Sequence, residues 1–457
     1  MSTQLRDATT LKTTLHRIIE KAQSDKDTVF TSVIHAINMD SLRHSFLRLD
    51  GSKAEGIDGV TKKAYEVNLE SNLKDLLLRI RNRSYFPKPA KIVEIPKADG
   101  TYRPLAISCL EDKIVQEVVR CLLEGIFEPL FLDCSHGFRP ERGCDTALVD
   151  LNRYISNPNC GAVLDIDLKS YFNTIPHKPL LAMLEEKISQ KHFLWFIAKL
   201  LRSSYLDKDG KSQRNECGVP QGNIFSPVLA NLYLHNVIDK WLLWVNAAHF
   251  NNTVNLVRYA DDGIFTFRNT ADAFKFLAML EDQLTEFGIA LNKDKTCIVS
   301  WGVGEAKRRH QQGKPMPQFT FLGFLHIWGQ SKNSKTGKLF WRPKRRTCPK
   351  RFRRKLTDIK EYIAKHRHDK NLIERTIQVV KGHANYFFVN DNQKRVRQFS
   401  HEVRRILFKY LNKRSQCKSF TWGQFVNLTD NLGYPTKFRI KNLFFSMKRP
   451  PPVGVCS

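Results

Sequence analysis

No stretch of this 457-residue chain approaches the eighteen or so consecutive apolar residues that a membrane-spanning helix needs. A membrane partner is therefore not expected. None of the ten cysteines falls in a Cys-x-x-Cys pair, which argues against a structural zinc site or a disulfide framework and fits a reducing cytoplasm. The N-terminus, Met1-Ser2-Thr3-Gln4-Leu5-Arg6-Asp7, has no apolar signal core, and its early acid is wrong for an organellar transit peptide. Acidic residues are scarce, with 45 Asp and Glu against 74 Lys and Arg, for a net charge of +29. The deficit is uneven. Residues 331–457 hold 32 Lys and Arg against 7 Asp and Glu, whereas residues 1–330 hold 42 against 38. The front of the chain is nearly balanced and the back is a polycation. Such asymmetry implies a polyanionic partner, and nucleic acid is the usual one; a merely solubilising surface rarely needs it.

Apolar spacing predicts helices at Leu11–Ile19, Val29–Leu47, Lys62–Ile80, Asp112–Phe127, Lys178–Tyr205, Pro227–Val245 and Ala271–Phe287. Between them lie extended runs. Lys91–Pro96 and Tyr102–Ile107 flank Asp99-Gly100 and read as a hairpin. Ala162–Leu168 is an apolar strand with Asp165 and Asp167 at alternate positions, hence on one face. Further strands are expected at Cys297–Trp301 and Gln318–Trp328. The Lys-, Arg-, Gly- and Pro-rich stretch Ser331–Lys350 reads as a boundary, followed by basic, aromatic-studded helices over 351–412.

The most telling residues are Tyr259-Ala260-Asp261-Asp262. Apolar runs on both sides make them a hairpin corner, where two like charges repel and the fold gains nothing from them. A lone Asp-Asp is usually a solvated turn. Here Asp167, at the end of another strand, supplies a third acid. Three carboxylates held together could coordinate two divalent ions, which sit about 3.5–4 Å apart in enzymes that clamp both oxygens of an in-line phosphoryl displacement. Hard Mg²⁺ prefers such oxygens and shares its sphere with phosphates. Asp165, roughly 6.5–7 Å back along the strand, is expected to be a supporting acid.

Leu164-Asp165-Ile166-Asp167-Leu168-Lys169-Ser170-Tyr171-Phe172-Asn173-Thr174-Ile175, Gly218-Val219-Pro220-Gln221-Gly222-Asn223-Ile224-Phe225-Ser226-Pro227 and Arg258-Tyr259-Ala260-Asp261-Asp262 resemble the successive palm motifs of a reverse transcriptase. Gly56-Ile57-Asp58-Gly59-Val60, Ile95-Pro96-Lys97 through Arg103-Pro104-Leu105, and His136-Gly137-Phe138-Arg139-Pro140 resemble supporting motifs of its group II intron-encoded branch. Gly382-His383-Ala384-Asn385-Tyr386-Phe387 resembles the maturase-specific region, with His383 where the family more often has a bulky aromatic. The likeness covers residues from about 30 to 430.

The resemblance implies an α+β right-hand polymerase: fingers and palm built on a central antiparallel sheet, then an all-helical thumb. In domains, this means an N-terminal helical extension (1–50), fingers and palm (51–330), thumb or maturase domain X (331–415) and a basic DNA-binding segment (416–457). Asp167, Asp261 and Asp262 would be the catalytic, metal-holding residues for two Mg²⁺ ions, with Mn²⁺ as a substitute. Lys97 and Arg103 would grip the triphosphate, the Arg as a bidentate fork. Phe172 would exclude a 2′-hydroxyl, and Gln221 and Gly222 would approach the nascent base pair. Lys295 would lie near the leaving pyrophosphate. Phe319–Phe324 resembles the primer grip. Arg139, Lys344, Arg345, Arg346, Arg353, Arg354, Arg404 and Arg405 would contact nucleic acid. The partners implied are an RNA template, a DNA primer, dNTPs, structured intron RNA and target DNA. Only Cys417 and Cys456 lie near the end, so the Cys-paired endonuclease of many relatives is not expected, and a nick or replication fork would supply the primer. Two other readings stay open. One is a maturase acting mainly by binding RNA. The other is a domesticated relative serving phage defence or DNA repair.

Overall fold

The computed structural model describes residues 15–96, 102–207, 210–413 and 419–444. Helix α1 covers 15–24, followed by α2 (Met39–Arg48), α3 (Lys62–Glu66) and α4 (Leu69–Arg81). The expected helix at Val29–Leu47 starts only at Met39, because Asn38 and Ser41 cap it reciprocally and fix its first turn. Likewise, the expected helix at Lys62–Ile80 is split in two at Val67-Asn68.

Strands β1 (Ala90–Pro96) and β2 (Tyr102–Ile107) pair antiparallel, from Lys91 with Ile107 to Pro96 with Tyr102. The Asp99-Gly100 turn between them lies outside the described residues. Next come α5 (Leu110–Phe127), α6 (Cys144–Ile155), β3 (Ala162–Asp167), α7 (Tyr171–Thr174), α8 (His177–Glu185) and α9 (Lys191–Leu201). The short strands β4 (Tyr205–Leu206) and β5 (Ser212–Gln213) then complete a sheet in the order β2-β1-β4-β5. Helix α10 (Ser226–Leu234) runs through a π-helical turn, His235–Lys240, into α11 (Trp241–Phe250). A hairpin of β6 (Asn255–Tyr259) and β7 (Asp262–Phe267), helix α12 (Thr270–Glu286) and β8 (Cys297–Ser300) follow.

Strands β6-β7-β3-β8 form a fully antiparallel sheet at the centre of the molecule. Period-2 alternation gives it two different faces. Leu164, Ile166, Leu256, Phe265 and Phe267 point into a large core shared with α5, α9, α10 and α12, where the Phe265 and Phe276 rings lie 4.8 Å apart. Val163, Val257 and Ile264 point the other way, into a second core. Asp165 and Asp167 alternate with Leu164 and Ile166, so they share this second face.

That second core also takes in α6 and a three-stranded sheet, β9 (Gln318–Phe321), β10 (Phe324–Lys332) and β11 (Leu339–Thr347), reached through an unanticipated helix, α13 (Val303–Gln311). Here the sequence reading needs correcting. Gln318–Trp328 is two strands with a turn at Leu322-Gly323, and 331–350 is no boundary. Strand β11 pairs with β10 from Leu339 opposite Lys332 to Thr347 opposite Phe324. The strand escaped notice because its inward positions are Pro343, Arg345 and Thr347 rather than aliphatic residues. Beyond it, α14 (Pro349–Lys365), α15 (Leu372–Phe387), α16 (Gln393–Leu411) and α17 (Trp422–Asn431) bury Ile359, Ile363, Ile377, Val380, Phe399, Val403, Leu407 and Phe425 in a third core. The helical expectation for 351–412 holds. The molecule as a whole is mixed helix and sheet, with mainly antiparallel strands.

Candidate active site

Three elements bring the acids together. Asp167 closes β3, Asp262 opens β7, and the two are register partners across the antiparallel ladder. Opposed residues have Cβ atoms about 4.5–5.5 Å apart on the same face. Asp261 sits in the two-residue turn between Tyr259 and Asp262, which pair with each other. Asp165 faces Ile264, one diagonal step from Asp262.

The turn is strained and heavily braced. Ala260 has φ of +57°, a left-handed conformation that non-glycine residues seldom adopt. The Arg258 Nη1 donates to the Ala260 carbonyl at 3.1 Å and to Asn231 Oδ1 at 3.0 Å. Its Nε and Nη2 donate to Asp239 Oδ1 and Oδ2 at 2.9 and 2.6 Å, with both side chains fully buried. Burial pulls the Asp239 carboxyl upward, but Arg258 and His235 together hold the acid below its ordinary value. Asp239 comes from the π-helical turn, a local widening often found at functional sites. On the other side, Asn231 Nδ2 donates to the Gly137 carbonyl at 2.7 Å. A Cβ on Gly137 would sit 2.4 Å from the Ala260 nitrogen, so only glycine lets that segment lie on the turn.

The electrostatics record the crowding. Burial, then the charges of Asp261 and Asp167, push the Asp262 carboxyl up to about 6, against the opposing pull of Lys295 and Arg103. Asp261 is raised chiefly by burial and also by Asp167, with Arg103 and Arg258 opposing. Asp165 is driven to about 8 by burial, then by Asp262 and Asp167. Among the described residues no group of three or more His, Cys, Asp or Glu side chains is arranged to hold a metal ion as it stands. The donor chemistry nevertheless fits a hard divalent cation: all-oxygen, mutually repelling and open on one side.

The other expected site residues divide. Arg103, on β2, is close enough to lower both Asp261 and Asp262. Lys97 lies outside the described residues. Phe172 and Gln221 line one cleft of about 420 Å³ with Pro104, Ala106 and Arg214. Gly222 is held at φ +112°, and a Cβ there would meet the Ala106 oxygen at 2.3 Å. The close approach its backbone makes is therefore to β2. Lys295 Nζ lies 3.5 Å from Asp167 Oδ2, an oxygen that also accepts from Asn292 Nδ2 at 3.0 Å.

Three of the basic residues expected at a nucleic-acid surface are internal. Arg139 is buried, donating to Glu128 and to the carbonyls of Leu132 and Ser135. Arg345 is fully buried beneath β11 and donates to Asn152. Arg404 is buried against the Tyr434 ring and paired with Asp430. Each has its charge or stem committed to the fold, which an Arg-rich composition cannot reveal. Arg346, Arg353, Arg354 and Arg405 are exposed, and Lys344 is half-buried with its Nζ on the Gln330 carbonyl.

Sequence reasoning missed Arg258, Asn231, Asp239, Gly137 and Asn292 as parts of the site. Arg258 adjoins the acidic corner, but its inward direction follows from strand alternation only once Val257 and Tyr259 are known to face the second core.

A family profile described as reverse transcriptase (RNA-dependent DNA polymerase) matches residues 95–326. Among curated proteins, the chain is 33% identical over 231 residues to group II intron-encoded protein LtrA of Lactococcus lactis subsp. cremoris, covering 50% of this chain and 38% of that protein. It is 31% identical over 284 residues to protein YkfC of Escherichia coli, covering 54% of this chain and 73% of that one. It is 28% identical over 149 residues to nuclear intron maturase 4, mitochondrial, of Arabidopsis thaliana, covering 33% and 18%. The chain thus spans well under half the length of the first of these. Among the described residues no helix is long and apolar enough to cross a membrane.

Proposed function

This chain belongs to the reverse transcriptase family, in its group II intron-encoded branch, and from that membership we propose that it extends a DNA primer on an RNA template. The observation that carries the reading is the cross-strand register of Asp167 with Asp262, beside Asp261 in the turn. Two divalent ions, Mg²⁺ with Mn²⁺ as a substitute, would be held by these three carboxylates and would supply the charge that activates a primer 3′-hydroxyl and offsets the leaving pyrophosphate.

The remaining chemistry falls to the chain's own groups. Arg103, with Lys97, orients the triphosphate by charge-assisted hydrogen bonds. Phe172 walls the cleft where a sugar would lie and rejects a 2′-hydroxyl by exclusion, which favours dNTPs over rNTPs. Lys295, 3.5 Å from Asp167, would turn toward the phosphates of a bound nucleotide. We assign 1–50 to an N-terminal extension and read the fingers and palm as running to Cys348, since β10 and β11 share one sheet. The thumb then begins at Pro349, and 416–457 is a basic tail.

The test is extension of a DNA primer on RNA with Mg²⁺ and dNTPs. Asp262→Ala should abolish extension while template binding stays near wild type; full extension by that variant refutes the assignment. A second, compatible role rests on the exposed Arg353, Arg354 and Arg405 of the basic helices: binding intron RNA to aid splicing. Splicing at low Mg²⁺ that survives Asp262→Ala would separate that role from polymerisation.

A further inference from the structure

Away from the acids, the surface carries an aromatic cluster that the catalytic reading does not use. Phe86 is 70% exposed and Trp195, on α9, is 45% exposed. A single exposed ring is ordinary, but exposed rings gathered into one patch mark an interaction surface. Between them sits Lys199, its Nζ 3.3 Å from the Phe86 ring centre and 4.7 Å from that of Trp195. The ring of His192 lies 6.0 Å from Trp195, and the Lys199 ammonium reaches the Arg83 carbonyl at 3.4 Å.

The cluster is fixed in place. Next to Phe86, the buried Tyr85 lies tilted against the Phe196 ring, centroids 5.9 Å apart, and donates to the Asp112 carboxylate at 2.5 Å. Its charge is one-sided. Among the described residues neither Arg83 nor Lys199 has a carboxylate partner, and burial alone lowers Lys199. The acids on adjoining segments are already engaged, Asp58 by Lys88 and Asp112 by Tyr85.

The cluster also borders the proposed substrate cleft. Ala90, four residues beyond Phe86, and Ser203, four beyond Lys199, both line the cleft that holds Phe172 and Gln221. The Ala90 nitrogen donates to the Ser204 carbonyl at 2.9 Å, tying the two segments together.

Exposed π-faces interleaved with unpaired cations are the means by which proteins hold single-stranded nucleic acid without reading its sequence: bases stack on rings, and phosphates meet the cations. We propose that Phe86, Trp195, Lys199 and Arg83 form a stacking platform for unpaired template nucleotides on their way into the cleft. The identity of the strand rests on the polymerase reading; the binding does not. An apolar protein partner would fit the rings but not the uncompensated cations.

Fluorescence anisotropy with the full-length protein tests this, comparing a primer–template bearing an unpaired template overhang with the same duplex blunt-ended. Wild type should bind the overhang substrate more tightly, and Phe86→Ala/Trp195→Ala should weaken that binding by roughly tenfold or more while blunt binding is unchanged. Trp195→Phe should retain most of the preference, and Lys199→Gln should lower the salt slope by about one. Circular dichroism and melting verify that each variant folds. Equal loss on both substrates, or an overhang preference that survives in the folded double variant, overturns the proposal. Asp262→Ala protein should keep the full overhang preference, so failure of the platform and failure of the polymerase assignment are read from different assays.

Discussion

Arg258 offers the sharpest separation of folding from catalysis. Replacing it by Met removes a cation whose carboxylate partner, Asp239, is wholly buried. Breaking a buried pair from one side leaves an uncompensated charge, and such changes cost about 3–5 kcal/mol. The same substitution deletes the donors to Asn231 and to the Ala260 carbonyl. These losses share one side chain and do not add independently. We therefore expect Arg258→Met to lose about 3–5 kcal/mol, a large part of a typical stability of about 5–15 kcal/mol. Urea unfolding gives the number as the midpoint shift multiplied by the slope.

Arg258→Met/Asp239→Leu then removes both charges. Apolar replacement of a whole buried pair is often neutral or better, so most of the lost stability should return. The Ala260 carbonyl would still lack its donor, leaving a left-handed alanine with one brace fewer. Primer extension should stay well below wild type in the double variant although the protein is stable again. Two results would refute the reasoning: a single variant within about 1 kcal/mol of wild type, or a double variant that extends primers at the wild-type rate.

Gly137→Ala places a Cβ 2.4 Å from the Ala260 nitrogen, and neither backbone can yield cheaply. Displacing the acidic turn by a fraction of an ångström to an ångström should cut extension by about 100-fold with RNA binding retained; an unimpaired rate sinks this packing argument. Asp165, whose folded pKa is about 8 against an ordinary 3.8, keeps its proton longer in the native state than in the unfolded chain. Its contribution is then full below about pH 4 and is lost as pH rises through about 8. Without divalent ions, wild type should lose melting temperature across that range more steeply than Asp165→Asn, and parallel curves would count against the crowding of the three acids.

The parts of this fold legible in the sequence were those where local pattern and tertiary environment agree. Lys91–Pro96 is extended and pairs with Tyr102–Ile107 as expected, and the run from Ala162 to Asp167 is a strand with its acids on one face. Where a side chain's destination depends on distant contacts, composition misled. Arg139, Arg345 and Arg404 look like surface cations until Glu128, Asn152 and Tyr434 are seen around them. Strand β11 looked like a linker because lysine and arginine stems can cover a sheet as aliphatic side chains do. The brace beneath the acidic corner was invisible because it too is built from distant polar contacts. Asn231, Asp239 and Arg258 are polar residues whose partners lie up to 94 positions away.

The two halves of the brace point to one purpose. A protein that needed only a stable hairpin would not place three mutually repelling acids at its end, nor force an alanine into a left-handed turn beside them. Arg258 is the nearest candidate to neutralise the corner, yet its charge is chiefly spent on Asp239, and Asp261 remains raised despite it. Lys295 and Arg103 lower Asp262 without bringing it back to an ordinary value. The internal cations thus fix the position of the acids but leave their charge unbalanced. On the proposed reading, a divalent cation arriving from solution would complete the balance, and the more tightly Arg258 and Gly137 hold the corner, the less the site would have to reorganise.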